Sequence, residues 1–154
     1  ATPPPHPRPP PLAAMVLPAM KGMEMPCQAA MVTTFVMWAL NFFAHVKSAN
    51  PANFKQEYSP VQVEKPFNPY ERVAANMVES IPIAMSVIWG SVLCGAHPTG
   101  VTISIYCICF FRVLFFVLYV FMVQPARSVA FLCGQISIVA TGILGLLAAF
   151  DVFS

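Results

Sequence analysis

The stretch from 101 to 123, VTISIYCICFFRVLFFVLYVFMV, contains a single charged residue, Arg112, within a run of mostly apolar side chains. About 20 consecutive apolar residues suffice for a helix to cross the hydrocarbon core of a bilayer. The whole chain has 9% charged and 58% hydrophobic residues and a mean hydropathy of +0.70, whereas roughly a quarter of the residues of a soluble domain are charged. These properties predict an integral membrane protein.

Apolar stretches of similar length lie on both sides of this one. The predicted membrane helices cover about 27–46, 69–95, 101–123 and 126–150. A tight turn at His97-Pro98-Thr99-Gly100 and the pair Gln124-Pro125 separate the last three helices. The connection from 47 to 68 contains several X-Pro pairs, which disfavour a helix. The predicted fold class is an all-α, integral membrane four-helix bundle.

The N-terminal segment has a different composition. Nine of the 16 prolines lie within residues 1–26, and residues 1–12 read ATPPPHPRPPPL. This composition predicts an extended polyproline II strand without internal hydrogen bonds. Because such a strand has too little surface to hold itself in place, we expect a neighbouring subunit to bind it. The chain thus divides into a Pro-rich arm, 1–26, and a four-helix domain, 27–154.

Charge and cysteine content exclude two classes of function. The net charge is +2 and the cationic residues are scattered, which argues against a nucleic-acid partner. The five cysteines lie in or at the start of apolar stretches, where cysteine behaves as a small hydrophobe. Their spacing fits neither a disulfide framework nor a metal site, so we predict no bound metal.

A few polar residues are predicted at membrane depth. Arg72, Asn76 and Glu79 are spaced i, i+4 and i+7 on one face of the second helix, and Arg112 and Tyr119 share a face of the third. The helical rise places Glu79 and Arg112 at similar depth, where an ion pair would offset the cost of two buried charges. Such a network could serve only to fix helix register, or it could bind an anionic ligand.

Small residues recur every fourth position along the fourth predicted helix. They are Cys133, Ser137, Thr141, Gly145 and Ala149. A ridge of small side chains lets another helix approach closely, so we expect a close helix contact here.

Three motifs carry a family resemblance. They are residues 71–82 (ERVAANMVESIP), Arg112-Val113-Leu114 followed by Tyr119, and residues 125–131 (PARSVAF). In this order they resemble the MAPEG family, the membrane-associated proteins of eicosanoid and glutathione metabolism, over roughly 27–150. The spacing of Asn76, Glu79 and Pro82 is similar to that of its bacterial-type members. The resemblance implies a four-helix bundle that assembles as a homotrimer and binds glutathione between neighbouring subunits.

The resemblance also implies site residues. The positions that match glutathione-binding positions of active members are Arg72, Asn76, Glu79, Arg112, Tyr119, Arg127 and Ser128. Cationic anchors suit the two carboxylates of glutathione, and its thiol reacts as the thiolate. The resemblance implies that Arg127 stabilises this thiolate.

Some positions depart from the family pattern. Ala74 and Ala75 stand where active eukaryotic members have a His and an Arg, and Phe115 stands where many have a His. We also interpret the start at Ala1 as a mature end left by removal of a targeting segment. Together with the arm, these features favour a non-catalytic accessory subunit of a larger organelle membrane complex, respiratory or photosynthetic, such as a photosystem. The alternative is a glutathione-dependent membrane transferase or peroxidase acting on lipophilic substrates.

Partners and location follow from the same interpretation. We expect contacts with other subunits through residues 1–26 and the helix faces, in a thylakoid or mitochondrial inner membrane, with the endoplasmic reticulum as the alternative. Glutathione, lipid or chlorophyll are the candidate ligands. His45 and His97 lie near opposite membrane faces and are candidate ligands for chlorophyll or haem.

Overall fold

The computed structural model describes residues 22–49 and 68–150. They form four helices, which we label in chain order: α1 Glu24–Ser48, α2 Pro69–Leu93, α3 Pro98–Val120 and α4 Ala126–Ala149. Each is long and apolar enough to span a bilayer, which confirms the predicted fold class. The predicted arm lies outside the described residues up to position 21, and residues 24–26 are the first turn of α1.

The starts of α2 and α3 are set by side-chain caps and prolines. The Asn68 side-chain oxygen accepts a hydrogen bond from a backbone N–H of the first turn of α2 (3.0 Å), with Pro69 in the first helical position. His97 Nδ1 accepts in the same way from the Gly100 N–H (3.4 Å) at α3, where Pro98 takes that position. Proline is favoured there because its missing N–H would have no helical partner. The tight turn predicted at 97–100 is therefore wrong, since Pro98 and Gly100 belong to the first turn of α3.

The ends of α2 and α3 share the Schellman geometry. The residue with positive φ is Gly95 after α2 (φ 72°) and Met122 after α3 (φ 60°). In each case the N–H of the following residue bonds to the carbonyl five positions earlier, at 3.1 Å after α2 and 3.0 Å after α3. Because this motif ends the helical hydrogen bonding, α2 and α3 stop at Leu93 and Val120, before the predicted ends at 95 and 123.

The helices pack with α1 and α4 at opposite corners. Within the described residues α1 contacts α2 and α3, α4 contacts the same two helices, and α1 does not touch α4. Near the end of α1, Phe43 meets Tyr70 at the start of α2 and Phe116 near the end of α3, with ring centroids 6.2 and 6.1 Å apart. Successive helices thus run in opposite directions, which brings Arg72 and Arg127 to the same end of the bundle.

The closest approach of α2 and α4 involves the small residues of α4. Ser91 Oγ donates to the Thr141 carbonyl (2.8 Å), and a Cβ added to Gly145 would lie 3.0 Å from Ser91 Cα. The expected close contact is therefore present at Thr141 and Gly145. The buried stripe of α4 follows mixed three- and four-residue steps, because a helix has 3.6 residues per turn. Its members are Ala130, Gly134, Ile138, Thr141 and Gly145, so Cys133, Ser137 and Ala149 lie beside it.

The outer surface is apolar. On α1, Phe35, Trp38 and Phe42 are exposed and lie in contact along the helix, with successive ring centroids 6.0 and 5.6 Å apart. Similar large apolar side chains project from the other three helices. A surface of this kind is stable in lipid rather than in water, as the spans require.

Candidate functional site

The polar residues of α2 lie on its outward face. Arg72 and Glu79 are exposed and Asn76 is half-buried, whereas Val73 and Met77 are buried against the other helices. Helical spacing separates these two sets of side chains. The shared face predicted for Arg72, Asn76 and Glu79 therefore borders the outside of the bundle and not its centre.

A groove of about 190 Å³ lies between this face and α4. Its lining residues are Asn76, Glu79, Ser80 and Ile83 from α2, and Phe131 and Gln135 from α4. The side-chain oxygen of Asn76 is buried and has no hydrogen-bond partner among the described residues. A buried amide oxygen without a partner is destabilising unless a ligand or water satisfies it. The groove therefore combines an apolar wall with an unpaired hydrogen-bond acceptor, the Asn76 side-chain oxygen.

Ser80 and Ile83 were not among the predicted site residues, and neither were Phe131 and Gln135. Phe131 and Gln135 follow Arg127 at steps of four, so all three lie along one face of α4. That periodicity was available in the sequence. By itself the periodicity does not indicate a site, because only the packing of α4 against α2 shows that this face borders the groove.

Arg112 lies in the contact between α3 and α4. Its side chain is 3% exposed, and its guanidinium carbon is 5.4 Å from the centre of the Phe131 ring. Gly134 lies beside it, since a Cβ there would be in ordinary contact with Arg112 Nε at 3.9 Å. Both terminal nitrogens are buried and have no hydrogen-bond partner among the described residues. Arg112 is therefore a buried cation beside the aromatic wall of the groove.

The predicted ion pair between Glu79 and Arg112 is wrong for the part of the chain that the structure describes. Arg112 Nη1 and Nη2 have no partner there, and Glu79 is exposed. Arg112 is directed into the α3–α4 contact, whereas Glu79 projects from the outward face of α2. Similar depth in the membrane does not fix the direction of a side chain around its helix, which explains the error.

The groove residues and Arg112 form one cluster, and a second cluster of side chains surrounds Arg127. Its guanidinium carbon lies 4.8 Å from the centre of the Tyr119 ring, within the range of a cation–π contact. With the Gln124 amide oriented to suit the guanidinium, the Gln124 side-chain oxygen accepts from Arg127 Nη2 and from Nε, the latter at 3.3 Å. The structure thus brings together the predicted site residues Tyr119 and Arg127, with Gln124 as a partner that was not predicted.

Aromatic rings connect the two clusters. Phe115 is 5% exposed, and its ring centroid lies 5.5 Å from those of both Tyr119 and Phe131. Tyr119 faces Arg127, and Phe131 faces both Arg112 and the groove. Phe115, at a departure from the family pattern, is therefore a packing residue between the two cations.

The remaining predicted residues do not line the groove. Ser128 is exposed, as is Arg72. His45 Nδ1 is 2.8 Å from the Asn41 carbonyl oxygen, and His97 Nδ1 caps α3, so each histidine has one ring nitrogen engaged. No group of three or more His, Cys, Asp or Glu side chains converges within residues 22–49 and 68–150.

The helices and the groove define an integral membrane four-helix protein with a polar site between two of its spans. A family model described as MAPEG matches residues 23–147, which is most of the chain. The chain therefore belongs to the MAPEG family, and the resemblance seen in the sequence is confirmed. No curated protein gives a significant match to the chain.

Proposed function

We propose that the chain binds glutathione at the α2–α4 groove and acts as a membrane glutathione transferase or peroxidase on lipophilic substrates. The observation that carries the proposal is Arg112, a buried cation whose terminal nitrogens have no partner among the described residues. A charge in this environment is unfavourable by several kcal/mol unless an anion pairs with it. Glutathione brings two carboxylates for cationic partners, and its peptide and ammonium N–H groups can donate to the unpaired buried oxygen of Asn76.

Each residue has a chemical task in this proposal. Arg112 and Arg72 attract the carboxylates, while Asn76 and Gln135 offer hydrogen bonds to the peptide groups. Arg127 holds the sulfur as a thiolate. The sulfur then attacks an electrophilic carbon, and the leaving group departs with its electron pair as the carbon–sulfur bond forms. The lipophilic substrate enters from the bilayer.

Binding and turnover test this proposal separately. Protein purified into lipid nanodiscs should bind glutathione in a calorimetric titration, and Arg112→Met should abolish binding. Arg127→Ala should retain binding but reduce turnover of an electrophile by about 100-fold or more, as removal of one charge-stabilising group does elsewhere. Lys47→Ala is the matched control, because Lys47 is an exposed cation on α1 beside Phe43. Undetectable binding at millimolar glutathione would overturn the proposal.

A second candidate is the accessory subunit of an organelle membrane complex, respiratory or photosynthetic. Ala74 favours it, because this position is 4% exposed and packs in the core where active members have a cationic or titratable residue. In this case residues 1–26 and the apolar helix faces bind neighbouring subunits. Bound lipid or chlorophyll then takes the place of substrate, with His45 and His97 as the candidate pigment ligands.

Purification from the native membrane distinguishes the two candidates. A subunit should copurify with its complex from thylakoid or mitochondrial inner membranes in mild detergent, and deletion of residues 1–12 should release it. The enzyme should instead purify as a homotrimer, as the family membership suggests, and it could also come from the endoplasmic reticulum. An unaccompanied trimer with or without the arm would contradict the subunit role.

A further inference from the structure

We propose that Gln124 is a positioning residue, which fixes the guanidinium of Arg127 for the thiolate. The inference rests on the proposed glutathione-dependent function. Its basis is the contact between the Gln124 side-chain amide and the Arg127 guanidinium. With the amide oxygen turned toward the guanidinium, as the surrounding donors require, that oxygen accepts from Nε at 3.3 Å and from Nη2, and the Tyr119 ring lies against one face of the guanidinium. Two independent contacts therefore restrict both the plane and the rotation of this cation.

The backbone on both sides of Gln124 is also fixed. Val123 N–H closes the Schellman motif at 3.0 Å, and its carbonyl accepts from the Arg127 N–H at 3.2 Å. Ser128 N–H bonds to the Pro125 carbonyl (2.9 Å). These bonds span the short connection between α3 and α4, so the Gln124 side chain starts from a defined backbone position next to its partner.

The contact leaves one edge of the guanidinium available. A guanidinium presents its donors along two edges, one formed by Nε and one terminal nitrogen and the other by the two terminal nitrogens. Gln124 takes the Nε–Nη2 edge. The edge formed by Nη1 and Nη2 remains for an anion, which is the geometry that suits a thiolate or carboxylate held by arginine.

The neutral amide is important for the charge of the site. A carboxylate at position 124 would orient Arg127 equally well but would cancel its charge, and a cancelled charge stabilises a thiolate less. An amide orients the guanidinium and leaves its full positive charge for the ligand. This reasoning predicts different results for Gln124→Ala and Gln124→Glu, which a purely structural role of Gln124 would not produce.

Kinetics as a function of pH test the inference. Gln124→Ala should lower kcat about tenfold through loss of orientation, with KM for glutathione within about twofold, because uniform binding is unaffected. Gln124→Glu should keep the guanidinium oriented but shift the acid limb of the kcat profile to higher pH, because it raises the pKa of the bound thiol. The ultraviolet absorbance of the bound thiolate should titrate with the same shift. Gln28→Ala and Gln28→Glu are matched controls, since Gln28 is an exposed glutamine of α1.

A measurement without glutathione completes the test. In protein labelled with ¹⁵N-arginine, the Arg127 Nε–H signal, assigned with Arg127→Lys, should exchange slowly with water. Gln124→Ala should accelerate this exchange at least tenfold. If both Gln124 variants turn over glutathione with wild-type kcat and pH profile, the positioning role is overturned while the proposed function stands. If the wild-type protein does not bind glutathione, the proposed function and the positioning role are both overturned.

Discussion

At the scale of single residues, the environment of Arg112 bears on whether this residue only packs or also binds a ligand. Its stem and guanidinium are buried beside Phe131 and Gly134, and its terminal nitrogens lack partners among the described residues. If Arg112 served only for packing, an apolar side chain of similar length would give a more stable protein. We therefore expect an anion to bind there.

Replacement of Arg112 by methionine tests this argument. Arg112→Met should raise the free energy of unfolding of the ligand-free protein by about 1–4 kcal/mol, since apolar replacements of buried charges often stabilise. Arg112→Lys, which keeps a buried charge, is the control and should not stabilise. Thermal unfolding in nanodiscs measures the effect. A lower stability of Arg112→Met would show that Arg112 is paired in the assembled protein.

The residue scale also shows the limits of the sequence. The motifs around Asn76, Arg112 and Arg127 identified most of the polar residues of the two clusters. Several side chains were not predicted, because an isolated serine, isoleucine, glutamine or phenylalanine carries no signal until its neighbours in space are known. They are Ser80, Ile83, Gln124, Phe131 and Gln135. The Glu79–Arg112 pair failed for the same reason, since helical periodicity gives the relative directions of residues on one helix but not between helices.

At the scale of elements, the α2–α4 contact is the most sensitive to side-chain size. A Cβ on Gly145 would lie 2.5 Å from Ser91 Oγ and 3.0 Å from Ser91 Cα. The second distance involves backbone, which cannot move away by rotation of a side chain. The two helices must separate if any larger residue replaces Gly145.

Gly145→Ala should therefore destabilise the protein by about 1–3 kcal/mol through overpacking. Gly90→Ala is the matched control, because Gly90 is also a helical glycine but an added Cβ would meet nothing within 4 Å. That change should stabilise α2 by up to about 1 kcal/mol through helix propensity. Unfolding of both variants in the same detergent gives the comparison. Equal effects of the two substitutions would refute the close contact.

The two Schellman turns allow a second prediction at this scale. Met122 has φ of 60°, whereas the equivalent residue after α2 is Gly95 with φ of 72°. A left-handed conformation disfavours a residue with a Cβ by roughly 1–2 kcal/mol, partly offset by the greater unfolded-state entropy of glycine. Met122→Gly should thus stabilise the protein by up to about 1 kcal/mol, and Gly95→Ala should destabilise it. If Gly95→Ala unfolded at a higher temperature than the wild-type protein, the Schellman geometry after α2 would be contradicted.

The ends of the helices could be predicted only in part. The starts of α2 and α4 were predicted correctly at 69 and 126, where Pro69 and Pro125 mark the boundaries in the sequence. The ends of α2 and α3 were placed too late, because apolar residues continue past the last helical hydrogen bond. Hydropathy reports where the chain is apolar, whereas the Schellman bonds decide where the helix stops.

At the scale of the whole molecule, the bundle is a membrane protein with a groove on its outer surface. The groove lies between α2 and α4 and not on the central axis of the four helices. A ligand there would contact two helices that both touch α3. Ligand binding should therefore stabilise the whole bundle and not one helix alone.

Thermal unfolding with glutathione measures this coupling. Glutathione at 100 times its Kd should increase stability by about 2.7 kcal/mol if it binds only the folded state. The unfolding temperature should rise with the logarithm of glutathione concentration, and Arg112→Met should remove this dependence. A similar rise with an equal concentration of glycine would mean that the effect is not specific for glutathione.

The sequence by itself determined the number of spans, the membrane environment and the family, because apolar length and local motifs are properties of contiguous residues. It also determined that Arg72, Asn76 and Glu79 share a face, since helical spacing alone dictates this. Only the tertiary structure decided that this face meets Phe131 and Gln135 of α4 in a groove and that Arg112 packs against Phe131 without pairing with Glu79. Those relations depend on the rotation of each helix about its axis, which packing between helices sets.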